Sequence, residues 1–161
     1  MIPKKKRQRH KDGDVFVVPL NDGTYSLGQI LAYEREALNS VACAFYNIRI
    51  VDGPTLEIPA PLPQDRVISI LLTTRDLLNR AVWPVIADRA IPTMVAVRPY
   101  EQYRVKKWVG ARIIGFGIVD KFLNAYFGLA PWDAMQDPNY FDSLLLHASL
   151  KPSGLVFAHA A

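Results

Sequence analysis

The sequence predicts an α+β domain: a twisted antiparallel β-sheet, or a partly open barrel, with two C-terminal helices packed on it. Three observations predict it. Runs of β-branched and aromatic residues fill the N-terminal two thirds, separated by Asn21-Asp22-Gly23, Asp52-Gly53-Pro54 and a proline-rich stretch. The early connections are short, which imposes antiparallel pairing. From Phe116 onward the apolar residues recur at helical spacing, and strands followed by helices is the α+β order.

Each element follows from local chemistry. Residues 1–12 read as a flexible basic arm and 13–161 as one domain. Gly13-Asp14 opens a first strand, Val15 to Val18, closed by Pro19; the Asn21-Asp22-Gly23 turn tolerates positive φ and makes a hairpin. A second strand spans about Thr24 to Tyr33 and a third about Ser40 to Val51. Pro54, Pro59, Pro61 and Pro63 forbid a helix in the crossing that follows. Arg66 to Thr74 reads as a strand deep in the core. Asp76 to Val82 makes one or two helical turns, and short strands are expected at Pro84–Ile86 and Thr93–Val97. Tyr100 to Lys107 is expected at the surface, and Trp108 to Gly117 as a last strand or a loop. Phe116, Val119, Phe122, Leu123, Tyr126 and Phe127 trace one amphipathic helix ending at Gly128. Asp137-Pro138 starts a second, through Tyr140, Phe141, Leu144, Leu145 and Ala148. Leu155 to Phe157 reads as a short edge strand. The expected core includes Phe16, Ile30, Phe45, Ile70, Leu72, Phe122 and Leu145.

Composition narrows the function classes. At 161 residues, 50% hydrophobic and 21% charged, the chain can bury a core without metal or disulfide staples. No apolar run is long enough to cross a bilayer, and no secretory signal is visible, so a cytoplasmic location is expected. The single cysteine, Cys43, fits a reducing compartment. The net charge of +4 is uneven: Lys4, Lys5, Lys6, Arg7, Arg9 and Lys11 carry +6, and subtracting them leaves −2 for residues 12–161. A basic arm on an acidic body binds nucleic acid weakly at most, since the arm lacks aromatic residues for stacking.

The residues give little sign of catalysis. His10, His147 and His159 are far apart and no metal-ligand spacing occurs, so neither metal nor cofactor is expected. Cys43 lies inside a strand as a buried thiol. Gly115-Phe116-Gly117 lacks the third glycine of a dinucleotide site. Thr73-Thr74-Arg75 with Arg49 across the sheet is the one group that a small ribonuclease barrel would use; solvated side chains at a strand end explain it as well. Asp133, Asp137 and Asp142 fall among Trp132 and Tyr140, and two readings stay open: a solvated face with a helix cap, or an acidic, aromatic patch gripped by a basic partner.

The N-terminal run is more specific. Gly13-Asp14-Val15-Phe16-Val17-Val18-Pro19-Leu20, Asp22-Gly23-Thr24-Tyr25 and Leu27-Gly28-Gln29-Ile30-Leu31 resemble the opening of the immunity protein 26 family of bacterial polymorphic toxin systems, which include contact-dependent growth inhibition. Val82-Trp83-Pro84-Val85-Ile86 and the helix from Ile118 to Leu123 are similar to later parts of it. The resemblance implies a non-enzymatic antitoxin that binds a cognate toxin C-terminal domain as a heterodimer and blocks its active site or substrate access. Because many such toxins are nucleases with basic clefts, an acidic contact is expected. Trp132, Asp133, Asp137, Tyr140 and Asp142 are the toxin-contact candidates on charge and aromaticity. A small-barrel endoribonuclease or a nucleic-acid-binding protein is the alternative.

Overall fold

A computed structural model describes residues 6–51, 58–93 and 98–159. Six strands form one open sheet in the order β5-β1-β2-β3-β4-β6. They are β1 (Asp14–Pro19), β2 (Tyr25–Glu34), β3 (Ser40–Ile50), β4 (Val67–Thr73), β5 (Val85–Asp88) and β6 (Ile113–Ile114). Two α-helices, α1 (Asp76–Asn79) and α2 (Phe116–Tyr126), complete the α+β fold. The β1–β2 turn is set by Gly23 at φ 84° and by Asp22, whose Oδ1 accepts hydrogen bonds from the Thr24 amide (3.1 Å) and hydroxyl (2.6 Å).

The sheet is mixed rather than wholly antiparallel. After β4 the chain passes through α1 and β5 before returning, so β6 enters beside β4 in the same direction, with Leu72 opposite Ile113. The Thr73 hydroxyl donates to the Ile114 carbonyl at 2.6 Å and fixes that pairing.

Both faces of the sheet are buried. One packs Phe16, Ile30, Cys43 and Phe45 against Phe122 and Leu123 of α2 and against Trp132, Phe141 and Leu145. The other packs Val17, Leu31, Ala44, Ile70 and Leu72 against Leu62, Tyr100 and Trp108. All seven expected core residues are buried, but on two faces: Ile70 and Leu72 point away from the other five. Double-sided burial is why β1 and β4 read as unbroken apolar runs and not as alternating ones.

Three local expectations need correction. Tyr100 is not at the surface: it stacks on Trp108 at 6.2 Å and the two rings cover the second face, with Arg104 lying over the Trp108 ring and pairing with Glu34 at 2.7 Å. The second C-terminal helix is not α-helical; it consists of 3₁₀ turns at Tyr140–Leu144 and Ala148–Leu150. Leu145 turns extended and the Leu146 amide donates to the Ile68 carbonyl at 2.8 Å, so β4 captures backbone that a helix would have used. The expected edge strand at Leu155–Phe157 is a single bridge between Val156 and Pro131. The expected strand at Thr93–Val97 lies mostly outside the described residues.

The segment before β1 makes specific contacts. The Gln8 side-chain amide donates to the carbonyls of Leu78 (2.7 Å) and Trp83 (3.1 Å), and its oxygen accepts from the Val85 amide at 3.0 Å. His10 bridges the Tyr33 hydroxyl (2.5 Å) and Asn79 Oδ1 (2.7 Å).

Candidate functional site

The fold brings the five toxin-contact candidates into one region after α2, and burial sorts them. Trp132 is 1% exposed. Its ring lies 5.8 Å from Phe122 and 5.6 Å from Phe141, so the chain uses it as core. Its indole N–H donates to Asp142 Oδ1 at 2.8 Å, which aims that carboxylate. Asp142 also pairs with Lys151 at 3.1 Å. Asp133 is buried and accepts hydrogen bonds from the amides of Ala158 (2.7 Å) and His159 (3.0 Å). Asp137 is exposed and closes an Asx turn by accepting from the Asn139 amide at 2.9 Å. Tyr140 is half-buried, edge-on to Phe141, with the Arg112 guanidinium 5.7 Å from its ring centroid.

The outward part of this region is therefore Asp137, Tyr140 and Asp142, while Trp132 and Asp133 hold it in place. Lys151 and Arg112 belong to it as well. No sequence signal marked them, because both arrive from segments outside the aspartate cluster. Their cations offset much of the negative charge the aspartates bring.

Asp133 gives the region a pH dependence. The backbone N–H bonds from Ala158 and His159 hold its carboxyl below the usual carboxylate range. A depressed folded-state pKa stabilises above the unfolded value and is lost as pH falls through the folded one. The Ala158 and His159 amides are expected to keep their hydrogen-exchange protection from neutral pH to about 4. They should lose it on further acidification, before the β2–β3 amides do. Simultaneous loss in both places would contradict a local role.

Among the described residues, the other chemistry-bearing groups are not assembled. Burial pushes the Cys43 thiol up, away from the reactive thiolate, and His147 is exposed elsewhere. Thr73 faces Val41 at the start of β3, whereas Arg49 lies eight residues further along that strand, about 26 Å away at about 3.3 Å per residue. Arg49 pairs with Asp22 and donates to the Thr24 hydroxyl, and Arg75 lies over the Tyr33 ring and donates to the Ser40 carbonyl at that opposite end. The group a ribonuclease would use is thus split between opposite ends of the sheet. Among the described residues, no cluster of three or more His, Cys, Asp or Glu is placed to hold a metal. No helix among them is long and apolar enough to cross a membrane.

Comparison with known proteins gives one match. The family model described as immunity protein 26 matches residues 11–103. No curated protein and no solved structure matches the chain. The matched stretch contains the whole Gly13–Leu31 opening and extends to Tyr103, so it includes β1 to β5 and α1. The helix α2 and the aromatic region after it lie beyond the match. Since the matched stretch is more than half of the chain and holds five of the six strands, the protein belongs to the immunity protein 26 family.

Proposed function

We propose that this protein neutralises a cognate toxin C-terminal domain by binding it directly, as a heterodimer, and covering its active site or substrate entrance without performing catalysis itself. The observation that carries this reading is the family match across β1 to β5. A nuclease is the proposed toxin class, on the acidic balance of residues 12–161. Cytoplasmic action in a polymorphic, contact-dependent system is part of the same proposal.

Asp137, Tyr140 and Asp142 are the proposed contact, since the fold leaves them reachable beside a rigid aromatic base. The test is calorimetry of the purified protein against the toxin domain encoded beside it. A roughly 1:1 complex with nanomolar Kd, about −12 kcal/mol, is expected. Combining Asp137→Ala, Tyr140→Ala and Asp142→Asn, the last keeping an acceptor for the Trp132 indole, should weaken it by about 2 kcal/mol or more. No binding by the unaltered protein, with RNA cleaved by it alone, would sink the reading.

A further inference from the structure

Six cations without a carboxylate partner among the described residues gather at the end of the sheet where β2 and β4 finish. Tyr33 and Arg35 sit at the end of β2, Arg75 follows β4, and Asn79 and Arg80 end α1. The segment before β1 is laid across this end in a fixed register. Gln8 and His10 face inward on the hydrogen bonds described above, and Arg7 and Arg9, alternating with them, are exposed.

The result is an open cleft of ≈ 660 Å³ whose cations are Arg7, Arg9, Arg35 and Arg75, with no carboxylate in its lining. A second hollow shares Arg7 and Asn79 with it, adds Lys6 and Arg80, and has Asp76 as its one acid. Among the described residues, none of these six cations has a carboxylate within 4.0 Å, whereas Lys11, Arg49, Arg104 and Lys151 are all paired. The Arg75 Nε is buried and has no hydrogen-bond partner. Six cations around two joined hollows repel one another unless an anion neutralises them.

We propose that this cleft binds the phosphodiester backbone of a single nucleic-acid strand. Guanidinium forks match phosphate oxygens in pairs, and five of the six cations are arginines. A strand brings one charge at every nucleotide whatever its sequence, whereas a peptide offers a comparable run of anions only where its sequence is densely acidic. Recognition is of the backbone and not of the bases: the Tyr33 ring is already stacked on His10 at 5.6 Å and has the Arg75 guanidinium 4.6 Å from its centroid. Its lining shares no residue with Asp137, Tyr140 and Asp142, the proposed toxin contact, so the proposal does not rest on toxin neutralisation.

The test is fluorescence anisotropy of the full chain with a labelled mixed-sequence 12-nucleotide RNA and the matching DNA strand, between about 50 and 200 mM salt. Binding to both, with log K falling with log salt at a slope near −3, is expected for four or five neutralised phosphates. Arg35→Glu with Arg80→Glu should weaken binding by about 30-fold and flatten the slope by about 1.4. Both side chains are exposed and unpaired, so the variant keeps the fold, which a thermal melt verifies. Arg35→Ala with Arg80→Ala should act in the same direction, and Arg66→Glu with Lys121→Glu, away from the cleft, should leave affinity unchanged. The proposal falls if neither strand binds at low salt, if the cleft variants bind like the unaltered protein, or if poly-glutamate of equal charge displaces the RNA as well as RNA does. That last result would assign the cleft to an acidic protein segment.

Discussion

Trp83→Ala is expected to cost about 3–5 kcal/mol, the range for deleting a fully buried large aromatic side chain. For a chain of this size that lowers Tm by roughly 10 °C or more. Trp83 is 0% exposed and stacks face-to-face on Phe16 at 5.4 Å, with Phe45 edge-on at 6.1 Å. It also ties three separate parts of the chain together. Its carbonyl accepts from Gln8, its indole N–H donates to Asp120 of α2 at 3.3 Å, and its ring fills the sheet face between them. Urea denaturation followed by far-UV circular dichroism measures the loss. Trp83→Phe separates the contributions: it keeps the stacking on Phe16 but leaves Asp120, whose carboxyl burial already pushes up, without its donor. A cost of about 1–3 kcal/mol is expected there. Equal losses for the two variants would mean that the hydrogen bond, and not the packing, dominates.

The strands were legible because their chemistry is local. The hairpin at Asn21-Asp22-Gly23, the strands on either side of Glu34–Ser40 and the stop at Gly128 each follow from a few adjacent residues, and all lie where the sequence puts them. What failed to show was long-range. The parallel β4–β6 pair depends on Thr73 meeting Ile114, forty-one residues apart. Tyr140 to Ala148 has an amphipathic pattern, yet the free edge of β4 takes the Leu146 amide and unwinds the helix into 3₁₀ turns. Tyr100 looks like a surface residue in a segment with Arg104, Lys106 and Lys107, but the aliphatic second face of the sheet needs a cover, and its ring supplies it together with Trp108.

The candidate contact was legible as a cluster but not as a surface. Sequence proximity placed Trp132, Asp133, Asp137, Tyr140 and Asp142 together. It could not show that Trp132 turns inward onto Phe122, or that Asp133 is consumed by the amides of Ala158 and His159. The arginine cleft was hidden for a different reason. The strands themselves carry few cations, and Arg35, Arg75 and Arg80 sit in three connections that only the sheet brings together with Arg7 and Arg9.

Gly28→Ala should be disproportionately costly for the addition of one methyl group. Gly28 lies directly opposite Phe16 on β1 and opposite Phe45 on β3. A Cβ at this position would come within 2.5 Å of Phe16 Cζ and 2.7 Å of its Cε2, far inside contact distance. A free phenyl ring would swing aside. Phe16 cannot, because Trp83 stacks on it and Phe45 abuts its edge at 6.0 Å. Replacing glycine in a strand normally gains a few tenths to about 1 kcal/mol through the unfolded chain. Overpacking at about 1–3 kcal/mol or more exceeds that gain, so the net change is destabilising. The cause can be isolated by a double-mutant cycle in urea. In a Phe16→Leu background the ring that meets the new methyl is gone, and Gly28→Ala should become near neutral, with a coupling energy of about 1–3 kcal/mol. An unchanged cost would place the strain in the β2 backbone instead. The glycine before Gln29 is thus explained by the aromatic stack it underlies: the Phe16 ring occupies the space a side chain at position 28 would fill.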